Sequence, residues 1–215
     1  MLSNTRNYFS HKSSRNIGFL FALSSLLLGI WVAAIPQIKT RLELSDATLG
    51  LSLLLAPVGA LTGVVVSPAV FKKIPVGQWL LTGNLLYCLI FVAQVAALNP
   101  IMLWIALFFN GLIGFLNGVS TNAVVDLLEK KENRHLMSTS HGMYSTGGFV
   151  SAGLAAIFYS LHLNPLWQII TVATILVLIL FLLKDHLQSY TNYIESDSSF
   201  RLPSGSVVGL AFICF

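Results

Sequence analysis

The chain has 215 residues, of which 55% are hydrophobic and only 9% are Asp, Glu, Lys or Arg. An average soluble domain carries about 25% charged residues, so this chain has too few to build a polar surface. The composition excludes a soluble enzyme, a nucleic-acid-binding domain and a disordered chain, and it predicts a polytopic membrane protein. The net charge of +4 then reports on membrane orientation rather than on nucleic acid.

Six apolar runs follow one another along the chain, each close to the roughly 20 residues that a helix needs to cross a bilayer. None of them contains Lys, Arg, Asp or Glu. The predicted spans, numbered 1 to 6, are 17–36, 47–70, 76–98, 101–125, 139–161 and 165–183. A seventh apolar run begins near residue 206 and stops at Phe215, so we expect the chain to end early in a further helix. The predicted fold is all-α, with a six-helix N-terminal bundle plus the start of a seventh helix.

The basic residues indicate which side of the membrane each connection occupies. With the N-terminus inside, the outer connections hold only Lys39 and Arg41. The inner segments hold the other ten, which are Arg6, Lys12, Arg15, Lys72, Lys73, Lys130, Lys131, Arg134, Lys184 and Arg201. Because cytoplasmic loops carry the excess of Lys and Arg, we expect a multi-pass protein of the cell inner (plasma) membrane with a cytoplasmic N-terminus.

This orientation divides the chain into four parts. Residues 1–16 form a cytoplasmic tail, 17–183 the six-helix bundle, 184–205 a polar cytoplasmic linker, and 206–215 the truncated start of a seventh helix. The first and fourth connections between spans are longer and charged, whereas the second and fifth are short. Spans 1–3 and 4–6 therefore repeat one length pattern and, because three is odd, run in opposite senses, as inverted repeats do.

Span 4 carries a polar stripe. Asn110, Gly114, Asn117 and Thr121 are spaced by 4, 3 and 4 residues, which places them on one face of a helix, and Asn122 lies on the adjacent stripe. Hydrogen bonding between helices explains a single membrane Asn. Several on one helix favour a wetted cavity, and Asn117 and Asn122 are its strongest candidates.

Spans 5 and 1 add three further candidates. His141 is the only ionisable residue near a span interior, where such residues are functional hypotheses by default, and imidazole titrates near neutral pH. A merely structural hydrogen bond at the end of the span is the equal alternative. Ser145 lies one turn further along the same face. Trp31 is either a packing aromatic or, because it is close to Gly29, a cavity residue.

Two stretches of the chain resemble the major facilitator superfamily of transporters. The first begins at Gly29-Ile-Trp-Val-Ala-Ala-Ile-Pro36 and is similar to the first two helices of that family. The second runs from Asn117 to Gly148 and contains Arg134-His-Leu-Met-Ser-Thr-Ser-His141-Gly142. It is similar to helices 4 and 5 of a bacterial inner-membrane, sugar-permease-like subgroup. The resemblance covers nearly the whole chain.

Two features depart from the pattern of that family. Between helices 2 and 3 the family usually carries an acidic residue together with Gly and basic residues, and this loop is thought to latch its conformations. Here Gly63 and the pair Lys72 and Lys73 remain, but the acid is missing. The second departure is length, because a family member has twelve helices and this chain has six and a stub.

The resemblance implies secondary active transport by alternating access, in which two six-helix bundles rock around a site near the membrane midplane. The cavity-lining candidates that it implies are Trp31, Asn110, Asn117, Asn122 and Ser145, with His141 as a proton or hydrogen-bond relay. Amides, hydroxyls and rings without a buried carboxylate, Lys or Arg favour a small neutral polar solute such as a sugar, or an amphipathic drug. The expected partners are the lipid bilayer, that solute, a coupling proton, and a missing C-terminal half or a second copy.

Two other functions stay open at this point. If 215 residues are the whole product, the chain is a non-transporting fragment or a half-transporter that must dimerise. An intramembrane serine hydrolase built on Ser145 and His141 is the third hypothesis, but the sequence lacks a nucleophile elbow, so we expect no enzyme. No Cys, His, Asp or Glu cluster has metal-site spacing, so we expect neither a metal nor a cofactor.

Overall fold

The computed structural model describes residues 8–191, and within that range every regular element is a helix. The helices are α1 Lys12–Arg41, α2 Asp46–Leu53, α3 Leu55–Phe71, α4 Val76–Ala96, α5 Pro100–Glu132, α6 Met137–Ser160, α7 Pro165–Leu182 and α8 Lys184–Gln188. The predicted seventh-helix start and most of the predicted linker lie outside the described residues, and α8 occupies the beginning of that linker.

Within residues 8–191, five segments are long and apolar enough to cross a membrane, which confirms an all-α polytopic membrane protein. They are Lys12–Arg41, Asp46–Phe71, Val76–Ala96, Pro100–Glu132 and Pro165–Leu182. Predicted span 5 corresponds to α6, whose 24 residues would extend about 36 Å at 1.5 Å per residue. That length suffices for a hydrocarbon core of about 30 Å, but α6 is rich in Ser and Gly, so a sixth crossing stays a prediction.

The helix ends follow from local chemistry. Asn99 and Asn164 each accept a backbone N–H at the start of α5 and α7, and a proline follows each of them at the first helical position, where its missing N–H costs nothing. Helix α5 ends at Asn133, which adopts the left-handed conformation with φ 49°. The helices α2 and α3 meet at Leu54, because Pro57 has no N–H to donate to the carbonyl of Leu53.

Two helix pairs pack closely because each contact falls on glycine. In the α1–α6 pair, a Cβ on Gly147 would overlap the carbonyl oxygen of Ala22. In the α3–α5 pair, a Cβ on Gly59 would overlap the carbonyl oxygen of Phe108. The absence of a side chain lets the two backbones approach, which is the usual basis of helix association in membranes.

The pairing pattern agrees with inverted repeats. In an inverted repeat, spans 1, 2 and 3 correspond to spans 4, 5 and 6 in that order. A pairing of span 1 with span 5 then has its counterpart in a pairing of span 4 with span 2. Both pairings occur, as α1 with α6 and as α5 with α3. The third members, α4 and α7, pack against each other. In this pattern of pairings α1 and α5 have corresponding partners, as inverted repeats require.

We name the two ends of the bundle after an arginine that lies at each of them. The "Arg41 end" contains the last turn of α1 and the connection between α6 and α7, and the "Arg134 end" contains the connection between α5 and α6. At the Arg134 end, helix α8 packs on the start of α4, where the backbone N–H of Gly77 donates to the carbonyl of Tyr190 at 3.0 Å. A side chain at Gly77 would overlap the carbonyl oxygen of Leu187, so glycine permits this docking.

Candidate functional site

A cavity of about 250 Å³ lies between α1, α4, α5 and α6, and we call it the polar cavity. Its lining consists of Leu20, Phe21, Ser24, Tyr87, Gly114, Asn117, Gly118, Thr121, Asn122, His141 and Tyr144. Three of the residues predicted from the sequence, Asn117, Asn122 and His141, thus meet in one space although they come from two different helices. None of the lining residues is Asp, Glu, Lys or Arg.

Asn117 lies at the wall of the polar cavity with its amide already engaged. Its Oδ1 accepts the indole N–H of Trp79 at 3.1 Å, and its Nδ2 donates to the carbonyl of Gly83 at 3.2 Å. Both partners belong to α4, so this amide joins α5 to α4. Asn117 therefore both lines the polar cavity and joins two helices, and the helix-to-helix hydrogen bonds use both its Oδ1 and its Nδ2.

Asn122 differs from Asn117 because part of its amide is free. Its Oδ1 is buried and accepts no hydrogen bond within the part of the chain that the structure describes. A buried polar atom without a partner costs about 1–3 kcal/mol, so this oxygen is poised to accept an O–H or N–H from a molecule in the cavity. Among the predicted residues, Asn122 is the strongest candidate for direct contact with a solute.

His141 and Ser145 lie on α6 and face two different spaces. The ring of His141 is exposed and meets the ring of Phe21 edge-on, with centroids 5.4 Å apart. The hydroxyl of Ser145 donates to the backbone carbonyl of His141 at 3.2 Å rather than to its ring. Ser145 lines a second cavity of about 700 Å³ that runs between α1, α6 and the start of α7, which we call the α1–α6 groove.

Trp31 and Asn110 do not join the other candidates. Trp31 packs among aliphatic side chains of α1, α2 and α5 around a void of only about 10 Å³. Asn110 is not among the residues that line the polar cavity. Trp31 Nε1 and Asn110 Nδ2 are both buried without a hydrogen-bond partner in the described residues, so each remains a buried polar atom without an assigned ligand.

Three aromatic residues complete the polar cavity and were not singled out by the sequence. They are Phe21, Tyr87 and Tyr144. In an apolar span, the sequence pattern of an aromatic residue is the same whether the residue packs in the core or lines a cavity, so the sequence does not distinguish the two. Tyr87 does both, because its ring also packs on Phe91 at a centroid distance of 4.7 Å. Tyr144 lines the α1–α6 groove as well as the polar cavity.

The last turn of α5 holds the start of α6 in place. The carboxylate of Glu129 accepts the backbone N–H groups of Leu136 and Met137, the latter at 2.8 Å. A negative group at a helix N-terminus satisfies otherwise unpaired donors and the helix dipole. Glu129 therefore positions the helix that carries His141 instead of contacting the cavity.

The residues that line the polar cavity supply amide, hydroxyl, imidazole and aromatic groups. Among residues 8–191 no group of three or more His, Cys, Asp or Glu could hold a metal ion. Such a lining can bind a ligand by hydrogen bonds and by ring stacking, and the unpaired Asn122 oxygen supplies an acceptor inside an apolar bundle.

Comparisons with known proteins agree with this architecture. An uncharacterized MFS-type transporter of Yersinia pestis is 28% identical over 195 residues, which cover 91% of this chain and 51% of that protein. An uncharacterized transporter of Sinorhizobium fredii is 27% identical over 151 residues, which cover 67% of this chain and 39% of that protein. The chain thus spans about half the length of the first of these relatives and less of the second.

Comparison with solved structures gives no match. The family profile described as Major Facilitator Superfamily matches residues 17–211, which is most of the chain. The match includes all of the residues that line the polar cavity. The chain therefore belongs to the Major Facilitator Superfamily.

Proposed function

We propose that this chain is the N-terminal half of a secondary active transporter that moves a small solute by alternating access. The observation that carries the proposal is a polar cavity of about 250 Å³ inside an apolar four-helix wall, with an unpaired amide oxygen on Asn122. Family membership and the transporter names of both relatives support it. A second six-helix half, present in an alternating-access transporter, would close the cavity from the open side.

The orientation proposed from the basic residues assigns each end of the bundle to a compartment. The Arg134 end would face the cytoplasm and the Arg41 end the opposite side of the inner membrane, because ten of the twelve basic residues belong to the predicted cytoplasmic segments. The polar cavity then lies towards the cytoplasmic half of α1, since it is lined by Leu20, Phe21 and Ser24 of that helix.

The lining favours a solute with neutral polar groups, such as a sugar. The Asn122 oxygen would accept a solute hydroxyl, and Phe21, Tyr87 and Tyr144 offer ring faces and edges. His141 would act as the proton or hydrogen-bond relay, because it is the one histidine among the residues that line the cavity. Ser145 would contact the solute only in the α1–α6 groove, and Trp31 and Asn110 would contribute through packing.

Transport by the full-length gene product tests this assignment. We expect Asn122→Leu to lower the uptake or efflux rate about tenfold or more, since a lost hydrogen bond with an unsatisfied partner costs about 1–3 kcal/mol. Asn110→Leu is the matched control, because it makes the same change on the same helix outside the polar cavity. Equal losses in the two variants, at equal protein levels in the membrane, would place the solute elsewhere.

A further inference from the structure

Open space continues along α1 and α6 beyond the polar cavity. The α1–α6 groove shares Tyr144 with the polar cavity. At its other end the groove shares Gln37, Tyr159 and Pro165 with a third cavity of about 440 Å³. We call this third cavity the mouth, because it opens at the Arg41 end. The three spaces are therefore neighbours along the bundle, and we refer to the series as the path.

The charge along this path has one sign. Arg41 and His162 line the mouth, and none of the residues that line the mouth or the groove is Asp or Glu. The guanidinium of Arg41 is held at the mouth because its Nη2 donates to the carbonyls of Val95 at 2.6 Å and Ala97 at 3.0 Å. These carbonyls lie at the C-terminal end of α4, so they fix the group, and their dipoles offset part but not all of its charge.

The acids that follow Arg41 in the chain do not pair with it. Among the described residues no carboxylate forms an ion pair with Arg41, whereas Asp46 pairs with Lys39. Glu43 does not line the mouth. The net effect at the mouth is an unpaired, permanently charged guanidinium together with an imidazole.

The walls beyond the mouth are largely apolar. The groove is bounded by small and aliphatic residues such as Val32, Ala33, Ala152 and Ala156. A cleft that is lined by one sign of charge and has low-dielectric walls focuses the electric field and raises the local concentration of the opposite ion. A neutral solute gains nothing from such an arrangement, but an anionic solute does.

We propose that the mouth and the groove form an anion-attracting vestibule, and that the solute carries a carboxylate in addition to its neutral polar part. This inference rests on the proposed transport function and narrows the solute class to hydroxylated acids, of which sugar acids are the simplest type. The carboxylate is drawn in by Arg41 and His162, while the neutral part is recognised in the polar cavity.

Charge-matched thiol reagents test the vestibule on the chain itself, without any need for transport. In a background of Cys88→Ala and Cys214→Ala, the substitution Ala33→Cys places a thiol in the groove. Ala47→Cys, on an exposed position that lines neither the mouth nor the groove, is the reference. The reagents are the anionic sulfonatoethyl and the cationic trimethylammonioethyl methanethiosulfonates, applied to the chain in liposomes.

We expect the ratio of anionic to cationic labelling rates to be at least threefold higher at position 33 than at position 47. Arg41→Gln should remove most of that excess, Arg41→Lys should retain it, and about 1 M salt should abolish it because the Debye length falls to about 3 Å. Equal ratios at the two positions would overturn the vestibule. If Arg41→Gln does not fold, Gln37→Glu supplies a second variant, since it adds a negative charge to the wall that the mouth and the groove share, and it should remove the excess.

Protection by solutes tests the carboxylate. Glucuronate should slow labelling at position 33 by a neutral thiol reagent more than glucose does, and Arg41→Gln should equalise the two. If glucuronate and glucose protected position 33 equally while Arg41 is intact, the proposal of an acidic solute would be overturned. Because labelling is read without transport, the failure of this inference is distinguishable from failure of the transport function, which the Asn122 comparison measures.

Discussion

At the scale of single residues, helical periodicity groups polar side chains on one face of α5 but does not reveal the partners of each side chain. Asn117 and Asn122 both line the polar cavity, yet of the two only Asn122 has an oxygen without a partner among the described residues. The bond from Trp79 to Asn117 joins residues 38 positions apart in sequence, so no local pattern reveals it. Trp31 packs beside α2 and α5 instead of facing the cavity, because the tilt of α1 decides what its face meets.

The Asn117 contact leads to a prediction about stability. Asn117→Ala and Trp79→Phe should each lower the stability of the chain by roughly 0.6–1.7 kcal/mol, the usual worth of a hydrogen bond between membrane helices. Because the two residues share one bond, the double variant should lose less than the sum of the single losses. Reversible unfolding in detergent micelles measures this, and strictly additive losses would show that the bond contributes nothing.

At the scale of elements, hydropathy located the five spans that the described residues confirm, because apolar length is a property of the sequence alone. It could not locate their ends, since α1 begins at Lys12 and α5 continues to Glu132, where a helical backbone extends beyond the apolar core. It also could not show that α2 and α3 meet at Leu54. The close α3–α5 approach, by contrast, falls on Gly59 and Gly63, whose spacing of four residues is one that lets membrane helices approach closely.

The glycine contacts lead to a prediction about helix pairing. Gly59→Ala should destabilise the bundle severely, because the new methyl would overlap the backbone oxygen of Phe108, which cannot rotate away. Gly153→Ala is the control, since a Cβ at this position in α6 meets no atom within 4 Å, and alanine in a helix is favoured over glycine by about 1 kcal/mol. Thermal unfolding in detergent should show a large loss for the first variant and none for the second. Similar behaviour of the two would contradict the packing.

At the scale of the whole molecule, composition and the placement of charge predicted a membrane bundle, which the fold confirms. The lengths of the connections predicted inverted repeats, and the pairing of α1 with α6 and of α5 with α3 is the pattern that such repeats would give. The cavities could not be predicted, because they arise where four helices diverge and depend on crossing angles that no single segment encodes. The central claim is that the polar cavity is a water-accessible solute site rather than a gap in packing.

One measurement tests that claim most directly, and it uses a thiol introduced by Gly118→Cys. Gly118 lines the polar cavity, and a Cβ there meets no atom within 4 Å, so the side chain fits without strain. In liposomes, with the native cysteines replaced, the account predicts rapid labelling by a membrane-impermeant thiol reagent, and slower labelling after Asn122→Leu makes the cavity less polar. Leu61→Cys, 67% exposed on the apolar surface of α3, should stay unlabelled. Labelling of Gly118→Cys as slow as that of Leu61→Cys would contradict the account.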